Sequence, residues 1–153
     1  MALMRLTSPH AHNAQNTADV MRWVAIATLP GIAALTLAFG FGTIVNILFA
    51  MGFALALEAI VMWFRKRPIS FYLLDYSAIV TAVLLGIALP PYAPWWVIFT
   101  GILFAIVIAK HFYGGMGYNP FNPAMVGYVV LLISFPVEMT SWSAPAGSFA
   151  GDV

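Results

Sequence analysis

The chain has 153 residues, 63% of them hydrophobic and only 7% charged, with a mean hydropathy of +0.95 and a formal net charge of +1. A water-soluble domain carries about a quarter charged residues, so lipid is the expected solvent for most of this surface. The lack of cysteine excludes a disulfide framework, a thiolate zinc site and a cysteine-ligated iron–sulfur cluster within these residues, and the near-neutral charge gives no reason to expect nucleic acid as a partner.

Residues 1–20 read as a polar N-terminal arm. They are not a signal peptide, because the first apolar run begins beyond residue 22, is too long for an h-region and lacks an A-x-A cleavage site. Thr17 or Asp19 is the candidate cap of the first helix. His10 and His12 form an H-x-H, too little by itself for a metal site, and no metal ligand set is expected.

Five apolar segments follow. The first runs from about Trp23 to Phe39, with Pro30-Gly31 predicting a kink. The second runs from about Thr43 to Phe64, behind the tight link "GFG". It carries Ala50, Gly52, Ala54 and Ala56, small residues that let a neighbouring helix come close. "RKRP" (Arg65 to Pro68) is the one charge cluster. The third segment, about Ser77 to Leu89, stops at "PPYAP", and the fourth, about Trp95 to Ala109, opens on the interfacial anchor "PWW". The fifth is about Ala124 to Phe135.

The third and fifth segments, at roughly 12–13 residues, fall short of the roughly 20 that a crossing needs. Short apolar pieces beside Gly/Pro breaks point to discontinuous helices around a site. The alternative is that they extend into their flanks and cross normally. The chain thus reads as an all-α integral membrane protein of about five transmembrane segments, two of them short or broken (77–89 and 124–135). The five-helix domain covers residues 21–135, followed by a tail over 136–153 whose last stretch, "SWSAPAGSFAGDV", has no closing helix. The odd count and the tail lead us to expect the N-terminal portion of something longer.

With residue 1 in the cytoplasm and all five segments crossing, Arg5, Arg22, Arg65, Lys66, Arg67 and Lys110 all fall on the cytoplasmic side, which is every Lys and Arg of the chain. Glu138 and Asp152 then lie outside. Glu58, inside the second segment, shares a helix face with Arg65, so snorkelling or pairing there is expected. Lys110 and His111 are expected to snorkel to the interface, with contact to a phosphate or a quinone headgroup as the alternative. Asp75 is the expected N-terminal cap of the third segment, with ion handling as the alternative. Asn46 and the Thr81 hydroxyl are candidates for interhelical hydrogen bonds.

The stretch "KHFYGGMGYNPFNPAM" holds no charge past its first two residues. Gly114, Gly115 and Gly117 permit positive φ and close backbone approach to a flat ligand. Asn119 and Asn122 each offer an acceptor and a donor, the pattern needed to read a heterocycle such as a flavin or quinone. Tyr113, Tyr118 and Phe121 are candidates to stack on its rings, and Pro120 and Pro123 restrict the backbone. Equally, Asn122 can cap the fifth segment with Pro123 in its first turn, and it can do both. No Ser–His–Asp arrangement, phosphate loop or carboxylate pair marks a catalytic centre, so no residue is assigned as catalytic.

The stretches "SPHAHN", "LPGIAAL", "DYSAIVTAVLLGIALPPYAPWW" and "FAIVIAKHFYGGMGYNPFNPAMVGYVVLLISFPVEMTSW" closely resemble the D subunit of the Rnf electron-transport complex. That subunit is related to the B subunit of the sodium-translocating NADH:quinone oxidoreductase. The resemblance implies a bacterial inner-membrane flavoprotein of two five-helix repeats with broken helices and a channel-like fold. Its complex couples ferredoxin:NAD electron transfer to sodium ion or proton translocation, with other membrane and peripheral subunits, flavin and iron–sulfur ones among them. It further implies a non-covalent riboflavin near the cytoplasmic side, held by Asn119 and Asn122. Gly114, Gly115, Gly117, Tyr118 and Phe121 lie in the same motif. An FMN is implied on a threonine of an S-G-A-T-like motif, absent from residues 1–153, so no threonine here is expected to carry it. The competing readings are a channel-like transporter half or a structural assembly subunit, each without a redox centre.

Overall fold

The computed structural model describes residues 16–115 and 118–145, and these form helices and connecting turns without a strand among them. The expectations for Arg5, His10, His12, Gly117, Asp152 and the end of the tail lie outside the described residues.

The first segment is two helices, α1 (Thr17–Ala27) and α2 (Leu29–Phe39). Asn16, one residue ahead of the expected cap, is the N-cap, and its N–H donates to Asp19 Oδ2 at 3.3 Å. The break falls at Thr28, just before Pro30. Pro30 has no N–H to continue the ladder, and Thr28 Oγ1 instead donates to the Ala25 carbonyl at 2.7 Å. After the tight link at Gly40, α3 (Gly42–Phe64) runs unbroken for 23 residues. A short α4 (Ile69–Leu73) precedes α5 (Ser77–Ala88). The fourth segment begins as α6 (Trp95–Leu103) and continues as a π-helix over Phe104–Phe112. The last segments are α7 (Pro123–Ser134) and a five-residue α8 (Pro136–Thr140).

Thr17–Phe39, Gly42–Phe64 and Trp95–Phe112 are long and apolar enough to cross a membrane. The two short segments do not extend into their flanks. α5 is bounded by Tyr76 in the left-handed region (φ 61°) and by extended Leu89, and α7 ends where Phe135 leaves the helix. At a rise of about 1.5 Å per residue, 12 residues reach about 18 Å, against about 30 Å of hydrocarbon. Both are therefore half-length helices, and multi-pass membrane architecture with two broken members follows. Beyond α7, α8 returns Met139 to the core.

The core lies where α5, α6 and the π-helix pack on α3, with α7 alongside. Ala50, Ala54, Ala78, Ala82, Leu85, Ile98, Ile102, Ile106 and Leu131 are buried in it. Without a hydrophobic difference between helix and lipid, association in a membrane relies on close packing. Here that packing is built on glycines. A Cβ at Gly86 would lie 2.9 Å from the Ile47 backbone, and one at Gly127 would lie 2.6 Å from the Gly101 carbonyl oxygen. Of the small residues singled out in the second segment, Ala50 and Ala54 meet neighbours, whereas Gly52 has open space beside it.

Candidate functional site

Glu58 lies on the inner face of α3, fully buried. Its partner is not Arg65, as its helix spacing predicted, but the pair Lys110-His111 from the end of the π-helix. Lys110 Nζ donates to Glu58 Oε1 at 2.8 Å and Oε2 at 2.9 Å, and His111 Nε2 lies 3.0 Å from Oε2. The imidazole nitrogen is close to the carboxylate without the alignment of a hydrogen bond, and His111 Nδ1 is buried without a hydrogen-bond partner. Lys110 and His111 are both buried, so neither snorkels. Residues i and i+1 normally splay apart on a helix. The wider π-helical turn, a form frequent at functional sites, lets both reach one carboxylate. An unpaired carboxylate at this depth would be costly, and pairing keeps it tolerable.

The network continues to α5. The third donor of Lys110 goes to Ser77 Oγ at 2.7 Å. Ser77 in turn donates from Oγ to Asp75 Oδ1 at 2.6 Å and from its backbone N to the same oxygen at 2.8 Å. Asp75 thus caps α5 as its position predicted, and it also anchors the hydroxyl that supports Lys110. Thr81 bonds within its own helix, to the Ser77 carbonyl, rather than between helices. Asn46 does bond across elements, with Nδ2 donating to the Pro90 carbonyl at 2.7 Å at the far end of the molecule.

Arg22 and Arg67 lie at the same end as Lys110. Arg22 donates to Tyr76 Oη at 3.0 Å while its guanidinium lies over that ring at 4.7 Å, and Arg67 donates to Tyr72 Oη at 2.7 Å.

Beside this network is a cavity of about 280 Å³. Its walls are Met21 and Val24 of α1 and the first turns of α5 from Ser77 to Leu84. Lys110, Asn119, Asn122 and Pro123 complete the lining. The two asparagines predicted to share a ligand therefore do line one cavity. Asn122 Oδ1 accepts from the Ala124 N–H at 3.0 Å, so it caps α7 as the alternative reading had it, and its Nδ2 is left for another acceptor. Asn119 Nδ2 donates to the Phe121 carbonyl at 2.8 Å, which closes the turn between them. Gly114 and Gly115 take φ of 114° and 108°, which L side chains rarely adopt, and they turn the chain out of the π-helix. Tyr113, Tyr118 and Phe121 are largely exposed and do not line the cavity.

The cavity is close to the lower end of small-molecule sites, about 300–1,000 Å³, and its lining combines apolar Met21, Val24, Val80 and Leu84 with the hydroxyls of Ser77 and Thr81 and the two amides. That donor set fits a flat heterocycle with a polar edge. It offers no carboxylate cluster for a metal, and no metal-holding group of acidic or histidine residues occurs among the described residues. Sequence reasoning missed Lys110, Ser77 and Glu58 as parts of one assembly. The available signal was charge itself, because a carboxylate inside one helix and a lysine inside another, both near the same membrane face, call for each other.

Three relatives, each named as the D subunit of an ion-translocating oxidoreductase complex, align along most of the chain. That of Vibrio atlanticus is 61% identical over 146 residues, 95% of this chain and 42% of the relative. That of Vibrio vulnificus is 62% identical over 145 residues, 95% and 41%. That of Ectopseudomonas mendocina is 61% identical over 152 residues, 99% and 44%. The chain thus spans less than half the length of these relatives. The model of the NQR2, RnfD, RnfE family matches residues 5–153, and with its buried charges, broken helices and apolar span lengths accounted for, the chain belongs to that family.

Proposed function

We propose that this chain is the flavin-holding, membrane-embedded part of a D-type subunit in a complex that couples ferredoxin:NAD electron transfer to sodium ion or proton movement across the bacterial inner membrane. The observation that carries the reading is the cavity that Asn119 and Asn122 share with Ser77 and Lys110. Riboflavin, when bound, supplies one- and two-electron chemistry that no side chain offers. The chain's own contribution is to hold and shield it. Asn122 Nδ2 is a donor for a ring oxygen or nitrogen, its Oδ1 being committed to α7. Asn119, tied to Phe121, keeps the turn in shape, and Met21, Val24, Val80 and Leu84 supply the apolar lining that limits water.

The gathering of Arg22, Arg67 and Lys110 at the cavity end supports an orientation with that end in the cytoplasm. The FMN of the family's second site has no candidate residue in this chain. Partner subunits that supply and remove electrons belong to the same reading, as does the complex named for the relatives.

The test is flavin content. In the complete subunit, purified with its complex, Asn119→Ala combined with Asn122→Ser keeps an oxygen for the α7 cap while removing the two amides. The non-covalent flavin should be lost from an assembled complex. Full retention of that flavin would sink the proposal. A wild-type subunit with no visible flavin absorbance would favour the transporter reading, and intact electron transfer with faulty assembly in the variant would favour a structural subunit.

A further inference from the structure

Lys110 is the point at which the protein's buried charge meets the cavity. Its side chain lines the cavity with Ser77, whereas its counter-ion Glu58 lies behind it and does not. The ammonium uses all three of its donors on Glu58 Oε1, Glu58 Oε2 and Ser77 Oγ. It has no N–H left for a ligand, so it acts on one only through its field. The ion pair is a dipole held in a water-poor interior, where such fields are strongest, and its positive end faces the cavity. Three contacts fix its direction. The π-helix places His111 on Glu58 as well, Ser77 holds the ammonium from the α5 side, and Asp75 holds Ser77. The N-termini of α5 and α7 also reach the cavity, each with the positive end of its helix dipole.

We infer that Lys110, oriented by Glu58 and Ser77, sets the reduction potential of the ring held beside Asn119 and Asn122, by favouring the more electron-rich form of that ring. Charge near the polar edge of a flavin is a recognised way for a protein to tune it. Lys110 is the cavity-lining residue, and Glu58 and Ser77 are positioning residues. The inference rests on the cavity being the flavin site.

The experiment measures flavin content and the midpoint potential of the non-covalent flavin, in the complete subunit within its purified complex. Glu58→Gln leaves the ammonium uncompensated and should raise the potential. Lys110→Met should lower it, and Lys110→Arg, which keeps the charge, should restore the wild-type value. The double variant Glu58→Gln/Lys110→Met leaves no unpaired buried charge, so it assembles even where a single variant does not. Its potential should fall below wild type and above that of Lys110→Met. A double variant that retains flavin at the wild-type potential overturns the inference and leaves the flavin site standing. A wild-type complex with no non-covalent flavin overturns the site, and the inference with it.

Discussion

α5 and α7 are both 12 residues long, both begin behind an Asx side chain, and both bring their first residues to the cavity. They differ in the polar contacts at their ends. The Asp75 carboxylate accepts from both the N–H and the hydroxyl of Ser77, and that hydroxyl carries the chain of contacts through Lys110 to Glu58. α5 is buried along most of its length. The Asn122 amide accepts from Ala124 alone, and α7 is buried only at Ala124, Gly127 and Leu131. Its attachment is the close approach of Gly127 to the Gly101 backbone. Both half-helices approach a neighbouring backbone, α5 at Gly86 and α7 at Gly127, and α5 alone adds a chain of polar contacts from its end through Lys110 to Glu58. α5 belongs to the scaffold of the cavity, while α7 is a wall laid against it.

The largest test of this contrast is Lys110→Ala. It leaves Glu58 buried without its main partner and releases Ser77, and should cost about 3–5 kcal/mol. Unfolding in detergent micelles, read by helicity, checks it. A double-mutant cycle with Glu58→Gln should recover most of that loss. If Lys110→Ala is no worse than a surface change, α5 is not anchored as described.

Next is Gly127→Ala, whose added methyl would sit 2.6 Å from the Gly101 carbonyl oxygen. Overpacking of this kind costs about 1–3 kcal/mol, and loosening should be confined to α7, seen as faster amide exchange there than in α5.

The caps then separate the two helices directly. Asp75→Ala removes the acceptor of two hydrogen bonds and should cost about 2 kcal/mol. Asn122→Ala removes one, at about 1 kcal/mol. Equal losses in thermal unfolding would erase the distinction. The smallest effects are the most diagnostic of burial. Val83, 7% exposed on α5, should cost about 1 kcal/mol on truncation to Ala, through lost packing contacts. Val129, 46% exposed on α7, should cost close to nothing, since lipid replaces its neighbours.

Much of this molecule was readable along the chain because its causes are local. Apolar run lengths against the thickness of a bilayer placed four of the five segments to within three residues and marked two of them as short, while the first begins at Thr17, six residues ahead of its apolar run. The caps Asp75 and Asn122 followed from their positions ahead of apolar runs, and the kink near Pro30 from a missing donor. The loop's glycines and asparagines identified it as a candidate ligand segment.

The partner of Glu58 was not readable. Helix periodicity offered Arg65, seven positions away, because spacing along one helix is all that a single segment reveals. The actual partners are 52 and 53 positions away on a helix whose π-helical turn aims two adjacent residues at one carboxylate. Which charges meet depends on how α3, α5 and the π-helix stack, and that stacking is set by where glycine and alanine let backbones approach. Likewise, residue types alone marked Asn119 and Asn122 as donors and acceptors, but only the packing of α1 and α5 beside them makes a cavity, with Lys110 in its wall.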